Sequence, residues 1–245
     1  MKKGFSLIEL VVVLVIIGLI VGGITSGQNL IRSAQLQDVV IDIKRFESAT
    51  AAFQERYFQL PGDMTNATDF WGFAHTTASS CGSTSTTDGT TCNGDGNGQI
   101  IGASSVGGIE QYRFWQHLAN AGLIEGSFTG ATAGENVATI SSGYYTILYE
   151  TDSTKLPISG STNAFSFGAL NNVEYVAPVI TPEEAWNIDK KIDDGKPNAG
   201  SVLTWLYEHN ELGGAFTQCI DTVSTFVYNL DDSSTRCGMA FVAGF

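Results

Sequence analysis

From Phe5 to Ile24 the chain is apolar except at Ser6 and Glu9, and from Val11 onward this run holds no charge and no polar side chain. At 1.5 Å per residue it makes a helix of about 30 Å, the thickness of a bilayer hydrocarbon core. The pattern then becomes periodic. Leu36, Val39, Ile43, Phe46, Thr50, Phe53 and Tyr57 recur at alternating steps of three and four, with Gln35, Gln37, Asp38, Asp42, Lys44, Arg45 and Glu47 between them. One continuous helix is therefore expected from Phe5 to about Tyr57, roughly 80 Å long, stopped at Leu60-Pro61-Gly62. Its second half could pair as a coiled coil, but a globular segment follows, and the stripe is expected to be a core face packed against that segment.

Beyond the turn, residues 65–71 read as a loop or short helix anchored by Phe70 and Trp71. Residues 76–108 are mostly Ser, Thr, Gly, Asn and Asp, the composition of a surface excursion. Glu110 to Ile124 reads as an amphipathic helix ended near Gly122. Strands are expected over Tyr144–Glu150, Phe165–Leu170 and Val173–Val179, and last strands near Phe216–Cys219 and Ser224–Leu230. Thr181 caps a helix begun by Pro182 and running to about Lys191. The fold class expected is α+β: a long N-terminal spine helix, its first half transmembrane and its second amphipathic, on an antiparallel-sheet head with helical and loop insertions.

Charge sharpens this division. The 245 residues hold 12 Lys and Arg against 25 Asp and Glu, and from residue 57 onward 20 acids face 6 bases. A surface of that sign is unsuited to nucleic acid, which requires clustered cations. With 43% hydrophobic residues the chain can build a core, which excludes overall disorder. Charged residues are only 15%, so Ser, Thr, Asn and Gly carry the polarity, as in exported proteins.

Lys2 and Lys3 precede the apolar run, placing the N-terminus in the cytoplasm and the remainder outside. Glu9 is the only charge between Lys3 and Arg32. An intramembrane carboxylate is expensive and so a functional candidate, although near a helix start the dipole also favours it and the side chain can reach the headgroups. Gly4-Phe5-Ser6-Leu7-Ile8-Glu9-Leu10 and the apolar stretch after it resemble the N-terminal signature of type IV pilins and of the pseudopilins of type II secretion. The likeness covers about 30 residues.

The resemblance implies cleavage after Gly4 by a prepilin peptidase, N-methylation of Phe5, and retention of Glu9 as a buried acid pairing with the Phe5 amine of a neighbouring subunit. Implied segments are a leader 1–4, a spine 5–60 with 5–24 in the membrane, and a head 61–245. Implied partners are other copies of the chain, related pilins, the peptidase and inner-membrane assembly machinery. The precursor would sit in a bacterial inner membrane as a single-pass, N-in protein, and the assembled filament in the periplasm or outside the cell. Many members of the family carry a proline in this helix. Here the first is Pro61, and Gly18, Gly22, Gly23 and Gly27 supply the soft points, with local melting expected near Gly22-Gly23. The stretch after the spine, from Gln59 to Trp71, also resembles one in larger bacterial pilin-like proteins.

Four cysteines in an exported chain favour two disulfides over metal ligation or catalysis, and three pairings are open. Cys81–Cys92 and Cys219–Cys237 both close short loops, and the second resembles the disulfide-bounded C-terminal loop of many pilins. Asn93, Asp95, Asn97 and Gln99 alternate with glycines and have Gly98 at the sixth position, the spacing of a calcium loop, so Ca2+ is a candidate cofactor. The twelfth position is Ser104 rather than an acid, although Asp88 or Glu110 could approach; the alternative is a flexible polar turn. The mixed-charge stretch Asp189–Asp194 reads as a solvated helix end. Asn66-Ala67-Thr68 fits a glycosylation sequon, a frequent tripeptide. His75, His117 and His209 are isolated and no hydrolase or phosphate-loop motif is present, so no catalytic residue is assigned. The expected function is that of a structural filament subunit. The alternatives are a type II secretion pseudopilin, and an adhesin or binding domain carried on a pilin anchor.

Overall fold

The structure, a computed structural model, describes residues 7–101, 110–131, 135, 136, 138, 140, 143–153, 155–158, 160–171, 174–205, 218–221 and 226–245. Helix α1 spans Leu7–Tyr57 without a break, passing straight through Gly18, Gly22, Gly23 and Gly27. Its buried residues are Leu36, Val39, Ile43, Phe46, Ala49, Thr50 and Phe53, the periodic stripe, whereas the apolar residues between Leu7 and Ile31 are exposed. The helix has two environments because its sequence has two patterns.

The head is an antiparallel sheet laid on the second half of that helix. Strands β1 (Tyr144–Glu150), β2 (Thr162–Asn171), β4 (Val202–Thr204) and β7 (Met239–Val242) lie in the order β1-β2-β7-β4, and β3 (Glu174–Ala177) folds back on β2. A separate two-stranded sheet pairs β5 (Ile220–Asp221) with β6 (Val227–Tyr228). The period-two alternation divides the main sheet. Tyr145, Ile147, Phe165, Phe167, Met239 and Phe241 join the core shared with α1, while Leu148, Ala164, Leu203 and Ala240 pack with Leu156 and Trp205 in a second apolar cluster. Phe46 of α1 is central to the first, with ring centroids 4.9 Å from Trp115 and 5.2 Å from Tyr145. The fold is α+β with a long spine helix.

Polar contacts also hold spine to head, among them one from Arg56 of α1, which donates to the Ala121 carbonyl. Arg32 donates to both carboxylate oxygens of Glu184, at 2.5 and 2.8 Å, and Glu184 in turn accepts from the Thr181 amide in the capping box of α5 (Pro182–Ile192). The Tyr145 hydroxyl donates to Asp42 at 3.1 Å, and burial beside that carboxylate raises its pKa. The outer edge at β4 is blunted against further strand addition, because the Val202 and Thr204 amides are taken by Asp193 and the Pro197 carbonyl.

Several sequence expectations are corrected. Helix α4 (Glu110–Asn120) stops short of Ile124, and it is not one-sided: Glu110, Gln111, Arg113, Gln116 and His117 are buried along with Phe114, Trp115 and Leu118. The 76–101 segment is what covers this polar side, so it is less of a surface excursion than its composition suggests. Arg113 donates to the Cys81 and Thr84 carbonyls, and Gln116 to that of Thr90. Phe70, on the short helix α2 (Ala67–Trp71), is exposed and does not anchor it. Strands β4 and β7 fall where the sequence pattern predicts none, while residues 216, 217, 224 and 225 of the expected last strands lie outside the described residues, as does His209. One more short helix, α3 (Ala78–Cys81), leads into the first disulfide.

Candidate functional site

Among the described residues, chemistry gathers chiefly at two places. The first is the bare half of α1. Its apolar run is long enough to cross a membrane, and it is solvent-exposed where the core helix of a soluble protein would be covered. Glu9 lies in its first described turn, with Leu7, Ile8 and Leu10 exposed around it. Gly4 and Phe5 lie outside the described residues. Residues 1–25 match the family description of a prokaryotic N-terminal methylation motif. The chain carries the precursor signature of type IV pilins and pseudopilins. No curated protein and no solved structure was found to match it. The motif with the long apolar helix behind it fits a membrane-anchored precursor of pilin or pseudopilin type, a structural class.

The second place is in the head, where the Gly-rich loop 93–101 crosses the buried turn Leu60-Pro61-Gly62-Asp63. The backbones touch: a Cβ at Gly94 would collide with the Asp63 Cα, and one at Gly62, where φ is +83°, would meet the Glu110 carbonyl at 2.5 Å. Glycine is therefore required at both. The buried Asp63 carboxylate accepts from the amides of Gly96, Asn97 and Gly98 at 2.6, 3.1 and 2.8 Å. Glu110, also buried, accepts from Asp95 and Ile101 at 3.2 and 3.1 Å. Asn163 on β2 accepts from Ile100 and donates to the carbonyls of Gly98 and Phe245. Three side chains from three elements thus clamp one loop. Neither Asp63 nor Asn163 carries a local sequence signal for this role; their positions are set by the fold.

Of the four expected calcium ligands, Asp95 has a carboxylate oxygen that lies with those of Asp63 and Glu110 within 4.8 Å of one another, and the Asn97 side chain donates to Asp95 at 2.8 Å. Asn93 instead accepts from the Thr68 amide and Asn97 from that of Gln99. Asp189, Asp193 and Asp194 form a second acidic group. Asp189 is fully buried and accepts from the Tyr228 hydroxyl at 2.8 Å, which corrects the reading at that residue, while Lys190, Lys191, Asp194 and Lys196 are exposed as a solvated helix end would have them.

Burial, with Asp63 and Asp95 close by, pushes the Glu110 pKa up to about 7, against partial compensation by the two amides. Burial likewise raises Asp63, and raises Asp189 to about 6. The sign follows from linkage. A carboxyl that holds its proton more tightly folded than unfolded stabilises the fold below its unfolded pKa, and that contribution is lost as pH rises through the folded value. The head is therefore expected to melt at a higher temperature at pH 5 than at pH 8, with most of the Glu110 part lost between 4.5 and about 7. Glu110→Gln, which cannot titrate, should flatten this slope in a thermal-melt series. An unchanged slope would exclude Glu110 as its source.

His117 is fully buried and has a structural arrangement. Its Nδ1 accepts from the Gly62 amide at 2.9 Å. Thr91 spends its proton on Gln116 Oε1 at 2.7 Å, so His117 Nε2–H donates to the Thr91 oxygen. Both nitrogens are satisfied in the neutral ring, and burial with Arg113 nearby lowers its pKa to about 3. It ties the turn after α1 to α4. The disulfides Cys81–Cys92 and Cys219–Cys237 are both formed, with Cα separations of 5.9 and 5.2 Å, and among the described residues there is no free cysteine.

Proposed function

We propose that this chain is a structural subunit of a type IV pilus-like filament. The single observation that carries the reading is the methylation motif over residues 1–25, continued by a bare apolar helix that runs unbroken into a folded head. In this account residues 1–4 are a leader removed after Gly4 by a prepilin peptidase. Phe5 becomes the methylated N-terminus, 5–60 is the spine and 61–245 the head. The mechanism is assembly rather than turnover. In the precursor the bilayer covers the apolar helix, and in the filament the same helices cover one another, so the transfer from lipid involves little change in apolar exposure. Direction and register must then come from something polar, and Glu9 with the Phe5 amine of a neighbour supplies it.

Imaging and mass spectrometry of sheared surface filaments test this. Filaments composed mainly of this chain are expected. Short periplasmic assemblies that appear only with a secretion apparatus would favour the pseudopilin reading, and trace amounts at the tips of filaments made from another pilin would favour an adhesin.

A narrower proposal concerns the head loop. Asp63, Asp95 and Glu110 offer only carboxylate oxygens, the donor type that suits calcium. A cation there would offset the burial, and the smaller mutual repulsion, that otherwise favour a proton on Glu110. Calcium and protons then compete, so added calcium should raise the melting temperature more at pH 8 than at pH 5. No shift at millimolar calcium at pH 8 would remove calcium from the account.

A further inference from the structure

The distal end of α1 carries an apolar surface that the fold leaves uncovered. Phe58, the first residue after the helix, is 89% exposed and held at φ +58°. Its amide still closes the last turn by donating to the Gln54 carbonyl at 2.8 Å. This is the helix-ending left-handed position at which glycine is usual, and a phenylalanine there is both strained and wet. Next to it the Tyr57 ring meets Phe70 edge-on at 5.2 Å, and Phe70 lies 5.9 Å from Trp71. Phe70 is 55% exposed and Phe73, two residues past Trp71, is 66% exposed. Neither helix termination nor head packing requires these rings outside.

A second uncovered surface lies near the other end of the head. Leu30 and Ile31 are 73% and 62% exposed. They fall after the twenty-residue apolar run that a bilayer would cover and before Leu36, where the buried stripe begins. Leu30 also begins a line of exposed residues, Leu30, Ala34, Ile41 and Ser48, at helical spacing on the side of α1 turned from the head.

Area decides what kind of occupant fits the distal rings. At about 200 Å² for a whole phenylalanine, the three expose on the order of 400 Å². A stable interface requires about 800 Å² per partner, so this patch would not hold two free heads together. It suits a contact made by molecules already gathered through another attachment, where effective concentration replaces affinity. The bare helix provides that attachment. A surface at one end of a subunit that fits a different surface near the other end makes a head-to-tail contact, and such a contact propagates when the copies it relates are displaced along the axis.

We propose that Phe58, Phe70 and Phe73 form a docking surface for a second copy of this chain, and that they receive the turn of its α1 around Leu30 and Ile31. The inference rests on the filament reading and adds a surface to it. It also fixes a dimension. Copies inserted in the same direction in one membrane are parallel, and about 27 helical residues separate Ile31 from Phe58, so the two molecules are offset by roughly 40 Å along the axis.

The test places p-benzoylphenylalanine at position 58 of the full chain and irradiates it in the cells that assemble it. The expected product is a dimer whose crosslinked peptide contains Leu30 and Ile31, lost in a partner carrying Leu30→Ser and Ile31→Ser. Adducts confined to lipid or to other parts of the chain would overturn the proposal. In parallel, Phe58→Gly should leave the head's melting temperature unchanged or raised, because glycine takes the left-handed conformation freely, and should cut filament yield at least tenfold. Wild-type yield from that variant would contradict the proposal while leaving the filament reading intact. A dimer crosslinked at Leu30 and Ile31 in a strain whose wild-type chain makes no filaments would do the reverse.

Discussion

Glu9→Ala is expected to abolish filaments while leaving membrane insertion and head folding unchanged. Insertion depends on apolar length and on Lys2 and Lys3, none of which is altered, and the head begins its contacts with α1 at Arg32 and Leu36, far along the helix. In the filament proposed above, the substitution would leave the Phe5 amine of a neighbour without its counter-charge. Removing one partner of a buried pair costs about 3–5 kcal/mol because the remaining charge is uncompensated. At 1.4 kcal/mol per factor of ten, each subunit addition would weaken at least a hundredfold. Glu9→Asp keeps the charge but shortens its reach, and should fall between the wild type and Glu9→Ala. The measurement is filament yield by electron microscopy alongside membrane fractionation. Normal filaments from Glu9→Ala would remove Glu9 from the register role.

Phe46→Ala carries the largest effect expected on the head. Phe46 is almost completely buried on α1 and meets Trp115 of α4, Tyr145 of β1 and Phe165 of β2, so one ring joins the spine to three other elements. Truncating a buried phenylalanine costs about 3–5 kcal/mol, lost transfer energy plus a cavity. For a unit of this size that lowers the melting temperature by roughly 10 °C. Leu30→Ala on the same helix is the control: its side chain touches no core, and a shift in the head's transition of less than about 0.5 kcal/mol is expected. Equal effects from both substitutions would mean that the head does not use α1 as its core helix.

The sequence showed the spine most clearly. An uncharged run followed by the Leu36-to-Tyr57 stripe has only one economical arrangement, and the structure buries that stripe to the residue through Phe53. Strand β1 was legible as an unbroken run of aromatic, β-branched and aliphatic residues from Tyr144 to Tyr149, and β2 by the alternation Phe165-Ser166-Phe167-Gly168. Strand β7 was not: Met239-Ala240-Phe241-Val242 is short and apolar throughout, a pattern that marks burial on both faces but not which element is buried. It lies between β2 and β4 and has apolar neighbours on both sides. Helix α4 misled for a related reason. Polar residues at helical spacing usually face water, and here Arg113, Gln116 and His117 instead hydrogen-bond the polar loop that covers them. In the head loop the Asn93–Gln99 spacing drew attention to the right segment, but Asp63, 30 residues before Asn93, and Asn163 on β2 hold it in place.

The central claim, that this chain is a processed filament subunit, is tested most directly by the N-terminal peptide of the protein recovered from cells. Mass spectrometry of the wild type should find a chain that begins at Phe5 with a methylated amine, and Gly4→Ala should leave the precursor beginning at Met1. A wild-type chain that still begins at Met1, or one cut after the apolar run as a secretory signal would be, contradicts the account.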